Sequence, residues 1–256
     1  MTTHNLFEAF FLKLQLNLKA EARSSYLNYA WWVLEPALNV ALFYFVFEVL
    51  LGRGGEGFVV FLLCGQIPFS WFARSVNNAS SSVNANGQLI QQTAIPIPFF
   101  PLLVVAQDIV KESAVLVCLL IFVWKMGHNP NMTWLALPVI VATQSLLIAG
   151  CSLTAAAITP WLPDFKFIIG TAMTMLMFAS GIFYDYSEVL LEQHKSLFLL
   201  NPVASLIDCY RTVIIDEQWP SWSRLAYVAI TGLGLSATMA AIYKRLGSVY
   251  SQLVIQ

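Results

Sequence analysis

The chain has 256 residues, of which 58% are hydrophobic and only 11% charged, with a formal net charge of −1. A soluble domain carries about 25% charged residues, and the mean hydropathy here is +0.70. These values argue against a basic nucleic-acid-binding surface and against folding in water, and they predict a polytopic membrane protein.

A helix crossing the ~30 Å apolar core of a bilayer needs about 20 mostly apolar residues. Backbone groups in lipid must be satisfied internally, so spans are helices or a closed barrel. Barrel strands would read as alternating segments of ~10 residues; the apolar runs here are longer and do not alternate. The expected fold is all-α integral membrane. It has six transmembrane helices, an N-terminal interfacial helix and an outer re-entrant helical hairpin, in one domain over 1–256.

In residues 5–23, Phe7, Phe10, Leu14 and Leu18 recur at helical spacing, with Lys13, Asn17 and Glu21 on another face. That pattern predicts a helix lying in the membrane interface. Residues 1–23 are amphipathic and charged, without an uninterrupted apolar h-region, so no cleavable leader is expected. The first span is predicted at 31–51, opened by Trp31 and Trp32 and carrying Glu35 one turn in. Gly52, Gly54 and Gly57 then form G-x-G-x-x-G. It follows a membrane span rather than a strand, so it reads as a flexible turn and not a dinucleotide site.

The second span is predicted at 58–74. The loop 77–98 is rich in Ser, Asn and Gln and ends in Pro96 and Pro98. A short helix at 84–93 before those prolines would give a soluble partner a docking point. The third span, 102–124, holds Asp108, Lys111 and Glu112 on one face at i, i+3 and i, i+4 spacing. They read as a self-neutralising cluster near the cytoplasmic interface; the sharper reading is a proton relay, which lacks a matching carboxylate–histidine chain in the other spans.

The fourth and fifth spans are predicted at 135–158 and 167–184. Residues 185–224 then hold two apolar half-runs, 189–200 and 203–215, broken at Asn201-Pro202. Each is too short to span. A hairpin over 187–216 that enters the outer leaflet and returns fits the lengths and the break, and such backbone must be buried in protein or line a cavity. The sixth span is predicted at 225–243. An even number of spans puts both termini on one side. Lys13, Lys19 and Arg23 before the first span, and Lys244 and Arg245 after the last, make that side the cytoplasm.

Cys64, Cys118, Cys151 and Cys209 match no metal-ligand spacing and read as small buried hydrophobes. His4, His128 and His194 are scattered, and no metal site or cofactor is expected on this chain. No G-x-x-x-x-G-K-[ST] occurs, and the longest segment between spans is too short for an ATPase domain. Any ATP and Mg would be bound by a separate polypeptide. Aromatic residues make up 14% of the chain. Tyr44, Phe178, Phe183 and Tyr184 are candidates to line a pathway, since aromatic faces pack against the C–H groups of sugars.

Several motifs carry a family resemblance. Residues 23–36, RSSYLNYAWWVLEP, lead into the first span. Gly65-Gln66-Ile67-Pro68-Phe69 lies in the second. Asn84-Ala85-Asn86-Gly87-Gln88-Leu89-Ile90 with Ile95-Pro96 forms the loop. Pro163-Asp164-Phe165-Lys166 precedes the fifth span, and residues 201–211, NPVASLIDCYR, follow it. In this order they resemble permease subunits of type-2 ABC exporters, closest to the branch exporting O-antigen, capsule and teichoic-acid polysaccharides. Asn28 stands where glycine is usual there, Gln91 and Gln92 where basic residues are usual, and Pro163 where arginine is usual.

The resemblance implies a homodimer in the bacterial inner membrane, working with two ATP-binding subunits and a lipid-linked polysaccharide. The chain itself would not be catalytic. Asn84, Asn86, Gln88, Leu89, Ile90 and Gln91 would belong to a coupling helix docking on the ATP-binding subunit. Asn201, Pro202 and Arg211 would belong to an outer gate. Arg23, Glu35 and Lys166, near the cytoplasmic entrance by the topology above, are expected to admit the anionic pyrophosphate-linked head. The alternatives are an ABC-type exporter of a small drug or lipid, a passive channel, and a membrane-embedded enzyme acting on polyprenyl-linked sugars.

Overall fold

A computed structural model of the chain describes residues 3–24, 30–50, 52, 57–93, 95–189 and 191–253. Residues 25–29 of the first motif and 53–56 of the glycine turn lie outside these. The described residues form helices and connections, with no strand.

Helix α1 is Thr3–Ser24 and α2 is Trp31–Tyr44, continued by a π-helical turn at Phe45–Leu50. Helix α3, Phe58–Ser80, runs on past the predicted end of the second span. Two short helices follow, α4 at Ser82–Ala85 and α5 at Gly87–Gln92. The sequence predicts one helix here. It breaks at Asn86, whose side-chain amide donates to the Ser82 carbonyl at 2.8 Å and so closes α4. Helix α6 is Phe99–Lys125, and α7 is Leu137–Ile158 after a 3-10 turn at Met132–Ala136. Helix α8 is Phe165–Phe178. The segment after it forms α9 at Tyr186–Val189, α10 at Glu192–Phe198 and α11 at Pro202–Ile214, and the chain ends in α12, Trp222–Leu253.

Among the described residues, three stretches are long and apolar enough to cross a bilayer: Phe58–Ser80, Met132–Ile158 and Trp222–Gly247. Helix α6 has the length but carries Asp108, Lys111 and Glu112 in its first half. Helix α8 is apolar but short, ending before the predicted limit of the fifth span. The reason lies partly in the tertiary fold. Gly181 takes a left-handed φ of +69°, and the freed carbonyls of the following turn are captured by side chains of α11, as described below.

Helices α7 and α12 cross at two glycines. A Cβ on Gly150 would lie 2.7 Å from the Gly232 carbonyl oxygen, and one on Gly232 would lie 2.7 Å from the Leu146 backbone. In lipid, helix association rests on close backbone approach rather than on hydrophobic exclusion, and small residues permit it. Where a soluble protein would expose polar groups, this chain exposes Ile230 and Leu233 on α12, and Phe167, Met175 and Phe178 on α8.

The core has two parts. The larger joins α3, α6, α7 and α11, with Trp71 and Tyr210 fully buried. The smaller lies beneath α4–α5, where Val83 and Ile90 pack with Phe99, Phe100 and Leu103 of α6. Leu6, Phe10 and Leu14 of α1 close it from one side, and Tyr243 and Tyr250 of α12 from another. The bundle thus has a loop end, carrying α4–α5, and a hairpin end, carrying the turns around α9–α11.

Helix α11 runs down the inside of the bundle. Its first residues, Val203, Leu206 and Ile207, share a small cavity with Pro68, Phe72 and Gln144. Its last turn reaches the first turn of α3 through Arg211 and Phe61. Pro68 lies about 15 Å along α3 from Phe58 at ~1.5 Å per residue, so the Asn201-Pro202 break lies well inside the bundle.

Candidate functional site

The loop end presents a polar surface. Asn84, Gln88 and Gln91 are exposed, and Asn86 and Leu89 are half-buried. Ile90, which the sequence groups with them as a docking residue, is turned inward and is only 7% exposed. It anchors α5 to the smaller core and leaves the glutamines outermost. Thr93 closes the helix by donating to the Leu89 carbonyl at 2.6 Å.

Next to the loop is a buried charge network. Lys111 of α6 donates to both carboxylate oxygens of Glu21 of α1, at 2.9 and 3.0 Å, and pairs with Asp108 at 3.0 Å. Asp108 accepts from the Ser75 hydroxyl of α3 at 2.9 Å. Glu112 pairs with Arg74 of α3 at 3.3 Å. The Lys111 ammonium also sits 6.0 Å from the Trp32 ring of α2. The sequence placed Asp108, Lys111 and Glu112 on one face of a helix. It left out Glu21, Arg74 and Ser75, the partners that tie α1, α3 and α6 together. Buried charges are tolerated when paired, and here the pairing spans three helices rather than one.

The three residues expected at the entrance are not joined. Arg23 ends α1, Glu35 lies on α2 and Lys166 opens α8; all are exposed, and among the described residues no ion pair links them. Lys166 lies over the Phe167 ring at 4.9 Å. Of the four candidate pathway aromatics, three come together at the far end of α8. Phe178 packs on Phe183 at 5.5 Å, and the Tyr184 hydroxyl donates to the Phe178 carbonyl at 3.0 Å. Tyr44 is separate: it lines an apolar cavity of about 440 Å³ between α2, α3 and α6, with Val59, Leu63 and Phe122.

Asn201 and Pro202 at the start of α11, inside the bundle, and Arg211 in its last turn, at the hairpin end, form a fastening. Asn201 caps α11 by accepting from the Val203 N–H at 3.0 Å, and Pro202 occupies the first turn, where its missing N–H costs nothing. The Asn201 amide also donates to the Ser180 hydroxyl at 3.0 Å. The Arg211 guanidinium donates to the carbonyls of Gly181 at 2.7 Å, Ile182 at 2.9 Å and Phe61 at 3.3 Å, and stacks 3.4 Å from the Phe61 ring. One side chain of α11 therefore fixes both the turn after α8 and the first turn of α3. Gly65 makes room for it: a Cβ there would lie 2.8 Å from Arg211 Nη2. The glycine of the second-span motif and the arginine of the hairpin motif are thus one contact, which neither motif reveals alone.

Beside Arg211 a second set gathers. Tyr186 donates to Asp208 at 2.7 Å, and Arg224 of α12 pairs with the same carboxylate. Partial burial, and then the bond to Asp208, push the Tyr186 phenol up to about 12, so it remains a donor at neutral pH. Partial burial, and then the nearby Asp208 and Asp185, raise Asp216 from the ordinary carboxylate range. The sequence of residues 185–224 does not show that Tyr186 and Arg224 meet on Asp208.

Comparison with known proteins gives a coherent set. The ABC-2 type transporter family matches residues 8–215. The O-antigen export system permease protein RfbA of Klebsiella pneumoniae is 24% identical over 250 residues, covering 97% of this chain and 96% of the relative. Its namesake from Myxococcus xanthus is 26% identical over 231 residues, covering 90% and 89%. The polysialic acid transport protein KpsM of Escherichia coli is 25% identical over 244 residues, covering 93% and 92%.

Proposed function

The chain belongs to the ABC-2 type transporter family, and from that premise we propose that it is the membrane subunit of a bacterial exporter that moves a lipid-linked polysaccharide outward across the inner membrane. The observation that carries this is the near end-to-end similarity to permeases named for O-antigen export and polysialic acid transport. The chain is not itself an enzyme; a separate ATP-binding subunit supplies the energy, and ATP and Mg are bound there. Two copies of the chain enclose the pathway.

The spans in this reading are α2 with its π turn, α3, α6, α7, α8 with the turn after it, and α12. Both termini and the α4–α5 loop lie in the cytoplasm, in keeping with the basic residues near each terminus. The depth of the Asn201-Pro202 break beside Pro68 supports a re-entrant hairpin, since irregular backbone inside a membrane must be covered by protein. The exposed amides of Asn84, Gln88 and Gln91 meet the ATP-binding subunit by neutral hydrogen bonds rather than by charge. Movement of that subunit reaches the bundle through Ile90 and the smaller core. Arg23 and Lys166 attract the anionic head of the lipid carrier at the cytoplasmic entrance, Glu35 marks the same rim, and Phe178, Phe183 and Tyr184 line the outward path.

The test is deletion of the gene in its host, with complementation. The expected result is loss of one surface polysaccharide and accumulation of its lipid-linked form on the cytoplasmic side, both reversed by the intact gene. Unchanged surface polymer in the deletion strain would contradict the proposal.

A further inference from the structure

Most of the larger cavities of the bundle are lined almost wholly by apolar side chains, but one at the hairpin end is polar. It has a volume of about 410 Å³, inside the ~300–1,000 Å³ range of small-ligand sites. Its walls come from four elements: Phe61 of α3, Tyr186 at the start of α9, Asp208 and Arg211 of α11, and Arg224 of α12, with Asp185 at the rim. Thr212 and Asp216 complete the wall from α11 and the turn after it.

Much of the hydrogen-bonding capacity here is already spent. Arg211 is held by backbone carbonyls, and Asp208 by Tyr186 and Arg224. Asp185 uses one oxygen on the Ser187 N–H at 2.7 Å. What faces the space is mixed: Asp216 and the second oxygen of Asp185 accept, the Arg224 N–H groups that Asp208 does not take donate, and the Thr212 hydroxyl does both. Ionised carboxylates only accept and guanidinium N–H groups only donate, so the complementary ligand does both, as vicinal hydroxyls do. Three aspartates against two arginines leave one negative charge in excess, which opposes an anionic ligand at this range. A divalent cation fits poorly: among the described residues no group of three carboxylate, histidine or cysteine side chains has metal-holding geometry, and the two guanidiniums stand among the aspartates.

We propose that this pocket is a binding site for an uncharged, hydroxyl-rich glycan segment at the outer end of the transporter, and that it favours neutral over acidic polymers. The proposal rests on the exporter reading above and deepens it. The glycan's hydroxyls donate to Asp216 and Asp185, and Phe61, Tyr186 and Ile215 in the wall supply apolar contact for its C–H groups.

The experiment uses the full chain in its native host, with its partner subunits at native level. A photo-reactive benzoylphenylalanine replaces Thr212, or Ser187, also in the wall, if the first position lowers the amount of chain. The control position is Leu233, 52% exposed on the apolar face of α12. Irradiation during export should join glycan to the chain from the pocket positions and not from Leu233, and acid hydrolysis of the adduct should release neutral sugars. Asp216→Ala should reduce the adduct about tenfold, the loss of one hydrogen bond to a charged acceptor. Absence of adduct at both pocket positions while polymer still reaches the surface would overturn the site. An adduct rich in acidic sugars would overturn the charge selection. Surface polymer that does not depend on the chain at all would instead overturn the exporter reading, and the deletion strain separates that case.

Discussion

Arg211 and Lys111 each hold several elements with one charged group, and they fail differently when altered. Gly65→Ala puts a methyl 2.8 Å from Arg211 Nη2, so the guanidinium must shift and loosen its bonds to the Gly181, Ile182 and Phe61 carbonyls. Overpacking of this kind costs about 1–3 kcal/mol, and a lower Tm for the detergent-purified chain would register it. Lys111→Met removes the ammonium that pairs with the buried Asp108 and with Glu21. Breaking a buried pair costs about 3–5 kcal/mol. Glu21→Gln, whose carboxylate is 45% exposed, should cost less than about 1 kcal/mol. Comparing the two variants by the same melt tests whether the network is a buried support or a surface ornament; equal small effects would refute burial. At this scale the sequence showed half of what matters. The spacing of Asp108, Lys111 and Glu112 was plain because a helix repeats locally. Glu21 lies 90 residues from Lys111, and no local periodicity records a partner that distant.

The α4–α5 loop and the hairpin make opposite demands on their residues. In α5 the side chains divide between the outside and the core. Gln88→Ala together with Gln91→Ala should reduce recovery of the ATP-binding subunit with the tagged chain, by several-fold, and leave the Tm unchanged. Ile90→Ala should do the reverse in the first instance: removal of a buried methylene set costs about 2–5 kcal/mol, and the Tm should fall even in detergent without the partner. The hairpin is legible where chemistry is local. Asn201-Pro202 announces a cap and a first turn, and the helix does begin there. The end of α8 was not legible, because the apolar run continues to Tyr184. What stops the helix is Gly181 at positive φ and the capture of its carbonyl by Arg211, a contact set by the tertiary fold. The same holds for the loop, where a polar run predicts a helix but not the break that the Asn86 amide makes within it.

For the molecule as a whole, composition alone settled the solvent: a chain this apolar and this sparing of charge folds in lipid. The order of elements followed from where 20-residue runs begin and end. How the helices cross did not, because in lipid the crossing is chosen by small residues such as Gly150 and Gly232, which look alike wherever they stand. Gly150→Leu should therefore disrupt the α7–α12 crossing and lower the yield of folded chain, whereas Gly234→Leu, with open space around it, should not. The central claim is that this bundle is one part of an ATP-driven exporter and is inert alone. The most direct test is to purify the tagged chain from its native membrane under mild detergent, identify what accompanies it, and measure ATP hydrolysis. The account predicts a stoichiometric subunit bearing a phosphate-binding loop, ATPase activity in the complex, and loss of both on replacing Gln88 and Gln91. Recovery of the chain alone, monodisperse and without ATPase activity, would contradict it.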